Sequence, residues 1–235
     1  MQDQNQAPIN PLPAITWALA LPMIAMEIVV NAGANGLVGG PDAIGWRSQA
    51  IQDFAFSPEY LRQMVVLQQY PWDGLYRPFT YSFVHTDLTQ AVFVTVILLA
   101  LSKFVGEVFS WWAVLLVFLA SSAVAAVAYT AIPYTTAPLI GGYPAVYGVI
   151  GAFTYVQWLR ASILGSGQWR AFRLIGFLLG IRIAFGAFSL VVYGFDQATS
   201  WDWTAELVGF STGFVLSFFV SPGGWSRLLA RIRQR

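Results

Sequence analysis

The sequence predicts an all-α membrane protein built as a six-span helix bundle, and two observations carry that prediction. Of the 235 residues, 57% are hydrophobic and only 10% are charged, and the mean hydropathy of +0.62 lies above the range usual for soluble domains. Six stretches also meet or approach the roughly 20 apolar residues that a helix needs to cross the hydrocarbon layer. These predicted spans are residues 15–32, 83–105, 111–132, 144–164, 172–193 and 204–220.

The long loop between the first two spans, residues 33–82, has mixed character. Two of its segments, residues 46–55 and 58–69, show apolar residues at helical spacing beside charged ones. They are typical of amphipathic helices at the membrane interface, and a plain extramembrane loop is the alternative. Aromatic residues such as Trp46 and Trp72 favour the interfacial interpretation, because aromatic rings accumulate at headgroup depth.

Lysine and arginine residues are distributed unevenly between the two sides of a six-span chain. The side opposite the termini carries only Arg47, Arg62 and Arg77, whereas Lys103 and seven arginines lie on the side that holds both ends. By the positive-inside rule, both termini are predicted to be cytoplasmic. The predicted location is a bacterial inner membrane.

Three regions are expected along the chain. Residues 1–13 form a polar N-terminal tail without lysine or arginine, so we expect the first apolar segment to be retained rather than cleaved as a signal peptide. Residues 14–221 form the membrane domain. Residues 222–235 form a basic cytoplasmic tail, which we expect to rest on anionic lipid headgroups.

Composition also argues against several classes of function. A net charge of +1 is too near neutral to suggest a nucleic-acid partner. The chain has no cysteine, which removes disulfides, thiol nucleophiles and thiolate metal sites together. Its single histidine, His85, argues against a zinc site built from protein ligands alone. With no cofactor motif either, we expect neither a metal nor a cofactor.

Three ionisable residues stand out within the predicted spans: Glu27 late in the first, Arg182 in the middle of the fifth and Glu206 about one turn into the sixth. Such residues are costly in hydrocarbon and are candidates for function. The alternative is local satisfaction, for Glu27 by reaching the nearer membrane surface and for Arg182 by binding backbone carbonyls or a carboxylate. Glu206 shares a helix face with Gly209 and Gly213, where another helix should approach closely, so we expect it to point into the protein.

Three motifs lie in order on these spans. They read RPFTYSFVH at residues 77–85, GGYPAVYGVIGA at 141–152 and AELVGFSTG at 205–213. In this order, on a six-span chain with a long first loop, they resemble the motifs of the rhomboid intramembrane serine proteases. The resemblance covers residues 14–221 and implies a rhomboid-like six-helix bundle with interfacial helices in the first loop. The residues that match the family pattern are Arg77, Thr80, His85, Glu107, Gly148, Gly151, Gly209 and Gly213.

The chain departs from the family pattern at the positions that carry catalysis in those enzymes. Tyr143 stands where the family has its serine nucleophile, and Pro144 follows where the family has glycine. Glu206 stands where the family has its histidine base. The positions of the second-span residues that assist the oxyanion are filled by Gln90 and Val94, or by Thr95 if the register slips by one.

These departures imply that the chain has lost protease activity. A serine attacks only when an adjacent base removes its proton, and imidazole suits that task because it titrates near neutral pH. The sequence offers no substitute pair, since His85 is the only imidazole and Lys103, the only lysine, lies at the cytoplasmic end of its predicted span.

Two functions remain open at this stage. The first is an inactive rhomboid-like protein that binds transmembrane segments of partner membrane proteins at the lateral opening between its second and fifth spans, as an adaptor, assembly or quality-control factor. The alternative is a stoichiometric accessory subunit of a larger membrane complex. In either case we expect the Tyr143 hydroxyl to donate a hydrogen bond to Glu206, directly or through one water. Arg182 is the competing partner for Glu206, although its predicted depth places it about two turns away.

Overall fold

The structure, a computed structural model, describes residues 11–133, 135–193 and 201–223. Within these ranges the chain is helical, with a single isolated antiparallel bridge between Phe56 and Leu139. The α-helices are α1 (Ala14–Ala34), α2 (Trp46–Phe54), α3 (Pro58–Leu67), α4 (Trp72–Thr80), α5 (Leu88–Gly106), α6 (Trp111–Thr130), α7 (Tyr143–Ile163), α8 (Arg173–Tyr193) and α9 (Asp202–Val220). Short 3-10 helices are formed by Pro41–Gly45, Tyr81–Phe83 and Gln168–Phe172.

The predicted all-α membrane bundle is confirmed. Six helices of 19 to 21 residues, namely α1 and α5 to α9, coincide with the six predicted spans. Among the described residues, α1, α5, α6 and α9 are long and apolar enough to cross a membrane by length and composition. Helix α7 is more polar, and its first half, from Pro144 to Val156, is largely buried inside the bundle. A helix enclosed by protein does not need a continuous apolar surface.

The start of α5 differs from the sequence prediction, which begins this span at residue 83. In the structure the 3-10 helix Tyr81–Phe83 comes first, and α5 begins only at Leu88. Asp87 caps α5, since its carboxylate accepts a 2.9 Å hydrogen bond from the Gln90 N–H. That bond and one from the Thr86 hydroxyl lower the pKa of Asp87.

The long first loop contains the two predicted helices as α2 and α3. It also contains α4, which the sequence prediction missed. Gly74 and Pro78 lie inside α4, and such residues are normally read as helix breakers. The apolar residues Trp72, Leu75, Tyr76 and Phe79 do follow helical spacing, but the segment is short and the glycine and proline argue against a helix.

Helices α7 and α9 pack backbone against backbone. A Cβ atom built on Gly213 would collide with the Gly148 carbonyl, and one on Gly209 would collide with the Pro144 carbonyl. Gly151 is packed in the same way against the backbone of α9. The glycines therefore let two membrane helices approach more closely than any side chain would permit, which fixes α9 rigidly on α7.

Helix α8 is held to the bundle at its beginning. Ile175 is buried in the core, and Leu178 and Leu179 pack against it. Beyond Arg182, every side chain of α8 that the structure describes is exposed. These described side chains, at positions 184, 185, 188, 191 and 192, form one outward face of α8.

Candidate functional site

A cavity of about 280 Å³ lies where the first turns of α5, α7 and α9 meet the middle of α8. Its wall includes Gln90 from α5, Tyr143 from α7, Arg182 from α8, and Asp202 and Glu206 from α9. The structure therefore brings together three residues that the sequence places at family catalytic positions, Gln90, Tyr143 and Glu206.

Glu206 is paired with Arg182. The Arg182 guanidinium donates from Nε to Glu206 Oε2 over 3.0 Å and from Nη2 to Glu206 Oε1. Nη2 also donates to Asp202 Oδ2 over 3.1 Å. Only 3% of the Glu206 side chain is exposed, against 36% for Arg182 and 41% for Asp202. A buried carboxylate is thus neutralised by a bidentate contact with one guanidinium, which is a strong geometry for such a pair.

This arrangement corrects the sequence prediction, which favours Tyr143 over Arg182 as the partner of Glu206. Among the described residues, no direct hydrogen bond joins Tyr143 to Glu206; the hydroxyl of Tyr147 interacts with the carboxylate instead. Tyr147 lies one turn further along α7, on the same helix face as Tyr143. The depth argument fails because an arginine side chain is long enough to span the offset between neighbouring helices.

Gln90 is engaged in local structure. Its Oε1 accepts from the Thr86 N–H over 2.8 Å, and its Nε2 donates to the Ile140 carbonyl over 3.3 Å. The amide also lies against Gly141, whose φ of +100° favours glycine. Gln90 therefore fastens the start of α5 to the segment that leads into α7.

Val94 and Thr95 do not line this cavity. Val94 is fully buried, and its methyl group packs beside Gly142, next to the start of α7. Thr95 lines a separate and mainly apolar cavity of about 460 Å³ between α1 and α5. Neither residue lies where it could assist an oxyanion in the cavity that holds Glu206.

Arg77 and Thr80 of the first motif bind backbone at the end of α2. Arg77 Nη1 donates to the carbonyls of Gln52 and Ala55 over 2.8 and 3.0 Å. The Thr80 hydroxyl donates to the Phe54 carbonyl over 3.2 Å. A cation at a helix C-terminus satisfies its free carbonyls, so this motif positions the loop helices.

Glu27 is also paired, with Arg47 from α2. Arg47 donates to Oε1 and Oε2 of Glu27 over 2.5 and 3.2 Å, and to the His85 carbonyl over 2.9 Å. Asn31 adds a 2.6 Å bond to Oε1. Glu27 is satisfied locally, then, but by an arginine of the loop and not by reaching the membrane surface.

His85 lies beside this pair and is 1% exposed. Within the described part of the chain, neither ring nitrogen has a hydrogen-bond partner. Burial lowers the pKa of His85 to about 4, so the ring is neutral at neutral pH. His85 lies outside the cavity that holds Glu206.

Glu107 directly follows α5, at the end opposite Gln90. The 17-residue separation along a helix corresponds to roughly 25 Å, which places Glu107 far from the cavity.

Three residues of these clusters escape the sequence analysis: Arg47, Tyr147 and Asp202. Asp202 and Glu206 are spaced i, i+4 at the start of an apolar helix, and Arg182 lies in the middle of its span, whereas the other charge of that span, Arg173, lies at the end. These charges could have indicated the ion pair from the sequence, because two carboxylates on one helix face and an arginine in the middle of a span both need partners of opposite charge. Arg47 and Tyr147 carry no comparable signal.

The cavity offers charge recognition more readily than metal binding. Within the part of the chain that the structure describes, no three His, Asp or Glu side chains are grouped as metal ligands. The guanidinium, the two carboxylates and the tyrosine hydroxyls instead form a polar pocket opening between helices.

Comparison with known proteins agrees with the motifs and the helix order. The sequence model of the Rhomboid domain matches residues 73–223, which is more than half of the chain and runs from α4 to the end of α9. No curated protein matches the chain. The extent of the domain match, together with the all-α membrane bundle, shows that the chain belongs to the rhomboid family.

Proposed function

We propose that this chain binds transmembrane segments of partner membrane proteins without cleaving them, as an adaptor, assembly or quality-control factor. The observation that carries the proposal is the occupation of Glu206 by Arg182 at the position where the family has its catalytic base. Both oxygens of this carboxylate already accept hydrogen bonds from the guanidinium, so they are poorly available to take the proton of a hydroxyl.

The position of the family nucleophile supports the absence of cleavage as well. Tyr143 offers a phenol on a bulky ring, and the family's oxyanion positions hold Gln90, whose amide is bound to the Ile140 carbonyl, and Val94, which is apolar. Loss of both the nucleophile and the base lowers proteolytic rates by several orders of magnitude.

The placement of the cavity supports binding. It lies between α5 and α8, and the described side chains of α8 beyond Arg182 are exposed. A transmembrane segment entering there would meet polar groups, which in hydrocarbon form worthwhile hydrogen bonds.

We further propose the orientation that the basic residues favour. Both termini are then cytoplasmic, the protein lies in a bacterial inner membrane, and residues 1–13 and 222–235 flank a membrane domain at 14–221. Under this arrangement the cavity opens toward the noncytoplasmic half of the bilayer.

Absence of cleavage is tested with purified protein in lipid vesicles and a panel of transmembrane reporter substrates. We expect no cleavage above that of vesicles alone. Cleavage that disappears in Tyr143→Phe or Glu206→Gln would disprove the proposal, whereas cleavage that persists in both variants would indicate a contaminating protease.

Binding is tested by photo-crosslinking in native membranes. A photoreactive residue replacing Phe185, on the exposed half of α8, should crosslink to partner helices, and one replacing Trp112, on the exposed face of α6, serves as the control. Several partners in substoichiometric amounts are expected. One partner set in fixed stoichiometry would favour the alternative, an accessory subunit, and equal crosslinking from both positions would contradict a site at the α5–α8 opening.

A further inference from the structure

We infer that the cavity between α5, α8 and α9 is a site for a transmembrane segment carrying a basic side chain, and that Arg182 occupies it as an internal substitute for that side chain. This inference rests on the proposed function, because it names the class of segment that the same opening would accept.

The charge of the cavity favours a cation. Two carboxylates, Glu206 and Asp202, face one guanidinium, so the cluster carries one negative charge in excess. Asp202 is the more accessible of the two, with 41% of its side chain exposed. Gln90 and the tyrosines of the wall add no compensating positive charge. Charge complementarity of this kind selects partners more than it adds raw affinity.

The two carboxylates and the guanidinium lie on helices that pack against the bundle to different extents. Asp202 and Glu206 lie one turn apart on α9, which is fixed to α7 by direct backbone packing at Gly209 and Gly213. Arg182 lies on α8 beyond Leu178 and Leu179, the last described side chains of that helix that pack against the core. A displacement of α8 would therefore carry Arg182 away and leave both carboxylates on the stationary wall.

The carboxylates would then need a new cation. An unpaired Glu206 carboxylate is strongly unfavourable, because only 3% of this side chain is exposed. A lysine or arginine of an entering segment would take the place of Arg182 beside the carboxylates. Displacement of α8 and binding of the segment would then exchange one ion pair for another. An entering acidic residue would meet the excess negative charge, and a purely apolar segment would leave Glu206 unpaired.

Competition by Arg182 has a measurable consequence. When an internal group occupies a site most of the time, the apparent affinity for a ligand equals the intrinsic affinity multiplied by the fraction of time that the site is free. Removing Arg182 should therefore strengthen the binding of a basic segment, whereas removing either carboxylate should weaken it.

The experiment uses the full-length protein in lipid nanodiscs and three synthetic transmembrane peptides. The peptides share an alanine-leucine sequence and differ at one position, about one turn from the noncytoplasmic end, which is lysine, leucine or glutamate. Binding is followed by energy transfer between a donor on the protein and an acceptor on the peptide. We expect the lysine peptide to bind on the order of tenfold more tightly than the leucine peptide, and the glutamate peptide to bind most weakly.

Variants assign the effect to the ion pairs. Arg182→Leu should tighten binding of the lysine peptide on the order of tenfold, with Arg173→Leu, an exposed arginine at the start of the same helix, as the control. Asp202→Asn should reduce the preference for lysine over leucine at least about fivefold. Because Asp202 is well exposed, this second variant keeps the test decisive if Arg182→Leu does not fold.

Three results would overturn the inference, and they differ in what they say of the proposed function. Equal binding of the three peptides would leave a segment-binding protein without charge selection, so the inference alone would fail. If no peptide binds the wild-type chain or its Arg182→Leu variant, the inference and the proposed function both fail. An unchanged preference for lysine in Asp202→Asn and Glu206→Gln would place the basic side chain elsewhere.

Discussion

Arg182 on α8 contacts both carboxylate oxygens of Glu206 on α9, the residue that its sequence motif aligns with the family's catalytic base. The contact joins α8, whose described side chains beyond Arg182 are exposed, to α9, which packs backbone against backbone on α7. It also neutralises a carboxylate that hydrocarbon would otherwise exclude. One ion pair thus links two helices and neutralises a buried carboxylate in the cavity.

Removal of one partner should cost more than removal of both. Arg182→Leu leaves Glu206 buried without a counter-ion, and we expect the free energy of unfolding to fall by about 3 kcal/mol. The double variant Arg182→Leu with Glu206→Gln leaves no unpaired charge on this pair and should be less destabilised than the sum of the single variants. Reversible unfolding in mixed micelles measures the four proteins of the cycle.

The matched control is Arg173→Leu, which removes an exposed arginine from the same helix and should change stability by less than about 0.5 kcal/mol. Additive single and double variants would show that Arg182 and Glu206 do not interact in the folded protein.

The glycines of α7 and α9 should not tolerate a methyl group. Gly213→Ala places a Cβ against the Gly148 carbonyl, where no flexible side chain can move aside. We expect a loss of about 3 kcal/mol, measured by unfolding in micelles.

Gly180 of α8 provides the opposite case. Nothing lies within 4 Å of a Cβ built there, so Gly180→Ala should raise stability by up to about 1 kcal/mol through the helix propensity of alanine. If both alanine variants behave alike, close packing of α7 on α9 is not what requires glycine at 213.

The sequence predicts the spans better than it predicts the partners of polar groups. Long apolar stretches identify α1, α5, α6 and α9 almost directly, because the hydrocarbon layer imposes their length. The glycine spacing likewise indicates where α7 and α9 meet. The start of α5 is misplaced because capping by Asp87, a local hydrogen bond, decides it rather than hydrophobicity.

The partners of Glu206 and Glu27 are harder to predict, since both come from segments distant in sequence. Depth along a helix suggests Tyr143 for Glu206, yet the reach of Arg182 decides the contact. Arg47 counts only as a loop charge in the sequence, and its role becomes visible once α2 lies against α1. Long-range ion pairs depend on helix placement, which composition and periodicity do not contain.

The Arg47–Glu27 pair should matter far more than a surface pair of the same residue types. Arg47→Ala removes two bonds to a carboxylate that is 9% exposed, and we expect a loss of about 3 kcal/mol. Arg47→Lys should restore only part of this, because an ammonium cannot form the paired contacts of a guanidinium. Unfolding in micelles measures each variant.

Glu59 and Arg62 form the comparison, since Glu59 is 51% exposed. Glu59→Gln should cost less than about 0.5 kcal/mol. Equal losses in Arg47→Ala and Glu59→Gln would mean that burial of Glu27 does not strengthen its pair.

His85 should make the protein sensitive to mild acid. Burial lowers its pKa to about 4, with Glu27, Arg47 and Asp87 as the charged groups facing it. Between pH 6.5 and 4 the unfolded chain binds a proton on this ring while the folded chain does not. The free energy of unfolding therefore decreases as the pH is lowered, by on the order of 3 kcal/mol across the window. Because His85 is the only histidine, His85→Leu should remove most of this slope. The variant should keep near-wild-type stability at pH 7.5, since it also removes two buried nitrogens that have no partner among the described residues. An unchanged slope in His85→Leu would assign the acid sensitivity to carboxylates instead.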